Sequence, residues 1–110
     1  MINSRQKGKR IEREFAHLLK DLYPEIRRNA GIQSQSGGVD LENTGCFNFE
    51  VKGGKLPVKN EQMLDQANSE GKPENYSVVL ARRDNCKPYV MMRFDDFKQL
   101  LDLMRAEGII

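Results

Sequence analysis

A single histidine among 110 residues, His17, leaves no room for chemistry that needs a pair of imidazoles. It also falls on the solvent side of the helix its neighbours predict, so it is read as a surface residue. Cysteine is equally scarce: Cys46 and Cys86 fall short of a zinc ligand set and read as free thiols of a reducing compartment. Apolar runs reach only about four residues, as at 78–81, which excludes a membrane-spanning helix. The charged start, MINSRQKGKR, has no apolar stretch behind it and does not resemble a signal peptide, so a cytoplasmic location is expected. No internal repeat or low-complexity segment occurs.

What is present describes an ordinary globular chain. Hydrophobic residues make up 38% and charged residues 31%, enough to bury one core and too little for a disordered-chain assignment. The length supports a single domain over 1–110. The net charge of +2 is small but unevenly spread. Arg5, Lys7, Lys9, Arg10 and Arg13 crowd the start against Glu12, Arg27, Arg28, Lys52, Lys55 and Lys59 follow, and Asp95, Asp96, Asp102 and Glu107 dominate the end. A basic first half opposite an acidic tail fits a protein that lays one side on a polyanion.

Periodicity gives the elements. Residues 4–22 carry Ile11, Phe15, Leu18, Leu19 and Leu22 at helical spacing, with Pro24 as the stop. Glu12 and Glu14 lie at opposite borders of that stripe, and spacing alone does not choose between them. Gly8, a poor helix former, would allow a backbone or phosphate to come close. Residues 25–30 read as a strand with Arg27 and Arg28 on alternate faces, followed by a polar loop over 31–38. A helix over 61–69 is predicted with Asn60 as N-cap and Gly71 as its end, with Gln62 and Gln66 one turn apart on one face and expected to touch a nucleic-acid backbone. Strands follow at 76–81 and 89–93. A last helix over 95–106, capped by Asp95 and stopped at Gly108, turns Phe97, Leu100, Leu101 and Met104 inward. The order α-β-β-β-α-β-β-α predicts an α/β fold with a mixed sheet flanked by helices.

The chemistry concentrates in SGGVDLENTGCFNFEVKGG, residues 36–54. Strands at 39–42 and 46–52, joined by Asn43-Thr44-Gly45, read as a hairpin with Gly45 at the left-handed position. In the second strand Phe47, Phe49 and Val51 alternate with Asn48, Glu50 and Lys52, so Glu50 and Lys52 share the polar face. A three-residue loop sets Asp40 opposite Asn48 and diagonal to Glu50, roughly 7 Å away. Two carboxylates converging beside an ammonium on a half-buried face invite a hard divalent cation.

Three motifs, taken together, resemble the PD-(D/E)xK nuclease superfamily and within it the archaeal and phage Holliday junction resolvases. They are Lys7-Gly8-x-x-x-Glu12-Arg13-Glu14, Ser36-x-x-Val39-Asp40 and Glu50-Val51-Lys52, spanning about residues 5–55, and the element order extends the likeness to the end. Val39 stands where the motif has proline, and the gap between Asp40 and Glu50 is short. The resemblance selects Glu12 over Glu14 and implies a restriction-endonuclease-like fold. It further implies a Mg2+-dependent DNA endonuclease, with Mn2+ able to substitute, acting as a homodimer on four-way junctions. Glu12, Asp40, Glu50 and the Val51 carbonyl are then the metal ligands and Lys52 the catalytic cation. Arg5, Lys7, Lys9, Arg10, Arg27, Arg28, Ser36, Lys55, Gln62 and Gln66 are expected against DNA. Two other readings share these residues: a nuclease of flaps, nicks or plain duplex in replication, repair or packaging, and a non-catalytic nucleic-acid-binding module.

Overall fold

The computed structural model describes residues 4–29, 39–54 and 59–110. Its elements are α1 (Ser4–Leu18), β1 (Arg27–Arg28), β2 (Leu41–Glu42), β3 (Phe47–Gly54), α2 (Asn60–Glu70), β4 (Tyr76–Arg83), β5 (Tyr89–Met92) and α3 (Phe94–Ala106). The chain is thus mixed α/β in the expected order, and among the described residues its strands form two open sheets rather than one. Strands β3 and β4 run parallel, with Glu50 beside Val79, and β5 adds antiparallel on the far side of β4. A parallel pair needs a crossover, and α2 supplies it.

Burial explains why the central strands read as they do. On one face Phe49, Val51, Val78 and Leu80 meet Ile11 and Phe15 of α1. On the other, Val79 packs with Met63 and Ala67 of α2. Strand β4 is covered on both sides, as its unbroken apolar run predicts. Gly53 lets α1 lie this close, because a Cβ there would run into the Ile11 side chain.

Several expectations need correction. The predicted hairpin over 39–52 does not form: β2 pairs antiparallel with β1, with Arg28 beside Leu41, so Asp40 is not held opposite Asn48 by a ladder. Both of these strands are two residues long, and so short a strand carries no pattern that names its partner. Helix α1 ends at Leu18, four residues early, and Leu18 and Leu22 are exposed while Tyr23 turns into the core instead. The strand over 25–30 shrinks to Arg27–Arg28. Helix α2 begins at Asn60 with Lys59 as N-cap, and Gly71 closes it in an extended conformation rather than a left-handed one. Its value is space, since a Cβ at Gly71 would meet the Asn48 side chain. Helix α3 is preceded by Arg93 as N-cap, not Asp95, and buries no residue: Phe97 is 46% exposed, and Leu100, Leu101 and Met104 are half-buried. Among the described residues no helix is long and apolar enough to cross a membrane.

Candidate active site

The alternation of β3 decides which side chains can meet. Its even residues point toward α2. Asn48 is buried there, with its amide donating to the Lys72 carbonyl at 2.9 Å. Glu50 follows at 1% exposure, and then Lys52, whose Nζ donates to Oε1 of Gln66 at 2.7 Å. Gln66 in turn donates through Nε2 to Oε1 of Glu70 at 3.1 Å. An amide between an ammonium and a carboxylate can satisfy both only in this orientation.

Asp40 arrives from the other side. Its main-chain carbonyl accepts from the Asn29 amide at 2.8 Å, and Asn29 Nδ2 donates to the Val39 carbonyl at 3.0 Å, which anchors the approach to β2. Its carboxylate reaches the edge of β3 that faces away from β4, where the Val51 N–H donates to Oδ2 at 2.8 Å. The N–H and C=O of a strand residue point to the same edge, so the Val51 carbonyl faces this side as well. The spatial neighbourhood of Asp40 and Glu50 expected from the sequence therefore exists, by a side-chain route instead of a hairpin ladder.

Glu12 closes the group from α1. Its Oε1 accepts from Arg28 Nε at 2.7 Å, with both side chains largely covered, and its carboxylate lies within hydrogen-bonding reach of Asp40. Glu14 turns away and accepts from Arg82 Nη1 at 2.5 Å, so geometry separates the two glutamates that periodicity could not. A fourth carboxylate, Glu70, comes within hydrogen-bonding reach of Glu50 from the last residue of α2. Sequence reading missed it. It ends a polar helix just before Gly71, where an exposed glutamate is unremarkable.

The electrostatics are those of crowded acids. Neither oxygen of Glu50 receives a donor among the described residues. Burial, first, and hydrogen bonding to Asp40 and Glu70 push its pKa up to about 11. Carboxylates 50, 40 and 70 can hydrogen-bond to one another only through a shared proton, and Glu50 is the group that holds it. Glu12 is also raised: burial outweighs the opposing hydrogen bond from Arg28, and Asp40 adds to the rise.

As it stands the cluster is closed on itself, with Glu12 turned to Arg28 and Asp40 to the Val51 amide. Accordingly, no group of three or more His, Cys, Asp or Glu among the described residues is disposed to hold a metal ion. The donor set nonetheless has the chemistry of a hard-cation site: carboxylate oxygens, a carbonyl on the same edge, and two buried oxygens that receive no donor among the described residues.

The other predicted residues scatter. Arg28 is committed to Glu12, and Arg27 pairs with Glu42 at the surface. Lys7 pairs with Asp84, while Lys9 and Arg10 are exposed on α1. Gln62 is exposed and accepts from the Lys59 N–H at 3.3 Å, away from the cluster, whereas Gln66 sits inside it. Ser36, Lys55 and the side chain of Arg5 lie outside the described residues. Comparison with family models, with curated proteins and with solved structures returns no match.

Proposed function

We propose that the chain is a Mg2+-dependent, structure-selective DNA endonuclease of the PD-(D/E)xK type, resolvase-like, with a restriction-endonuclease-like fold and a homodimeric working form. One observation carries the reading. A glutamate is buried at 1% exposure without a donor to either oxygen among the described residues, with Asp40 and Glu70 against it, Glu12 beyond Asp40, and an ammonium two residues along the same strand face. A purely binding module has no use for a buried acid cluster that repels phosphate, which disfavours the non-catalytic reading.

Glu12, Asp40, Glu50 and the Val51 carbonyl would hold Mg2+. That ion supplies charge on the phosphoryl oxygens and a water of lowered pKa. The chain's own residues do the rest. Val51 N–H and Asn29 fix Asp40, Arg28 fixes Glu12, and Gln66 holds the Lys52 ammonium beside the cluster, where it can neutralise charge building on a phosphate in transit. The basic first helix provides sequence-independent attraction to the backbone.

The test is cleavage of a fixed four-way junction beside linear duplex, with Mg2+ and with EDTA. Asp40→Asn is expected to abolish cleavage and Lys52→Ala to slow it about 10²–10³-fold, both with junction binding retained. An undiminished rate for Asp40→Asn refutes the site. Equal cleavage of duplex and junction keeps the site but moves the substrate to the flap, nick or duplex class.

A further inference from the structure

A second polar concavity opens on the opposite flank of α1 from Glu12. Lys7, Arg10, Arg82 and Arg83 line it, with Asp84 and Asn85, over Ile11, in a cleft of about 330 Å3. Only Lys7 and Arg10 stand out in the sequence as candidate DNA contacts; the two arginines at the end of β4 look like an ordinary strand terminus. Structure joins the four. Gly54, at φ +71°, carries no Cβ that would press on Lys7, so the first turns of α1 lie over the strand ends and bring Lys7 to Asp84.

The cations are held in place with donors to spare. Arg82 spends Nε on the Cys86 carbonyl at 3.3 Å and Nη1 on Glu14. Arg83 spends Nε on the Tyr89 hydroxyl at 2.9 Å. Nη2 of Arg82 and both Nη groups of Arg83 have no protein acceptor among the described residues, and a guanidinium fork fixed in this way is suited to a phosphate. Four cations outweigh the two carboxylates, Asp84 and Glu14, that touch them. They are spread along a helix and a strand end instead of converging on one point, which suits a chain of phosphates better than a single one.

The cleft lies at a usable distance from the acid cluster. Gly53 and Gly54 stand beside Arg82 and Arg83, and Glu50 stands three residues earlier on the same strand. That is about 10 Å at 3.3 Å per strand residue. Phosphates of one strand advance about 3.4 Å per nucleotide along the duplex axis and lie farther apart than that along the backbone, so the separation spans at most about three nucleotide steps.

We propose that this cleft is a DNA-backbone site, with Arg83 as its main anchor, holding phosphates within about three nucleotides of those at the carboxylates. It rests on the nucleic-acid reading above. The test is binding of a fluorescent four-way junction by anisotropy in EDTA, between 50 and 200 mM salt, so that cleavage plays no part. Arg83→Ala is expected to weaken binding severalfold and to flatten the slope of log K against log salt by about 1, and Lys7→Ala with Arg83→Ala by about 2. Lys20→Ala, at an exposed position past the end of α1, keeps the wild-type slope. Thermal melts confirm that each variant is folded. A wild-type slope in Arg83→Ala, weaker binding without a change in slope, or no salt-dependent binding by the wild type each overturns the cleft. If the slopes change as expected but Mg2+ brings no cleavage, the cleft stands and the nuclease reading falls.

Discussion

A carboxyl group at 1% exposure that meets no donor stays ionised only if a cation compensates it, and otherwise it keeps its proton. Glu50 therefore ties folding to pH and to metal. Its ordinary value of 4.5 applies in the unfolded chain, while burial and its acidic neighbours raise it to about 11 in the folded one. Between those values the folded state holds a proton that the unfolded state has released. Stability then falls as pH rises through the window, by up to about 1.4 kcal/mol per pH unit, and is level below it. Glu12, also raised, acts in the same direction. Without divalent ions the melting temperature is expected to drop from pH 5 to pH 9. Glu50→Gln should flatten that dependence and melt higher than wild type at pH 8. Mg2+ at pH 8 should restore stability to the wild type by taking the proton's place, and should not do so in Glu50→Gln. Melting curves at pH 8 that ignore Mg2+ in the wild type count against the metal.

Among the elements, what sequence could show depended on whether a pattern has a unique structural answer. Period-two alternation in β3 separated Phe49 and Val51 from Glu50 and Lys52 correctly, because only one pleat fits it. The stripe of α1 placed Ile11 and Phe15 in the core for the same reason. Strand pairing over 39–42 was not legible, since two residues bond equally well to any exposed edge, and here β1 offers one. Glu70 was invisible because its role comes from a neighbour twenty residues earlier in the chain. Gly53 and Gly54 carry no pattern that names a neighbour, yet both serve close approach, to Ile11 and to Lys7. Gly53→Ala is accordingly expected to destabilise by about 1–3 kcal/mol, as overpacking of a tight helix-on-strand contact does, through displacement of Ile11. Urea denaturation measures the loss. A matching substitution at Gly8, where a Cβ would meet nothing, should be neutral or slightly stabilising, and equal costs at both sites would contradict this account.

At the scale of the molecule, which extends 49 × 26 × 26 Å, the anomaly is α3, which buries none of its residues. Phe94 is 73% exposed and Phe97 46% on one side of the helix, Leu103 55% on the other, and Ile109 66% and Ile110 59% beyond its end. Phe94, Phe97, Leu101 and Met104 form one stripe at helical spacing. Lys98, bonded to Asp102 at 2.9 Å, and Arg105 flank it on one side, and Asp96 on the other. Two copies laid side by side in parallel about a twofold axis would bury the two stripes against each other and leave the charged flanks at the rim. This is the surface on which the homodimer of the proposed nuclease would form. Light scattering is expected to give a mass near twice 12.7 kDa, and Phe97→Asp, which sets a charge in the stripe, should return a folded monomer. Each protomer carries its own acid cluster, so that monomer should still nick a junction on one strand while losing the paired, simultaneous cut. A wild type that is monomeric at all concentrations, or a Phe97→Asp variant that stays dimeric, removes α3 from the interface.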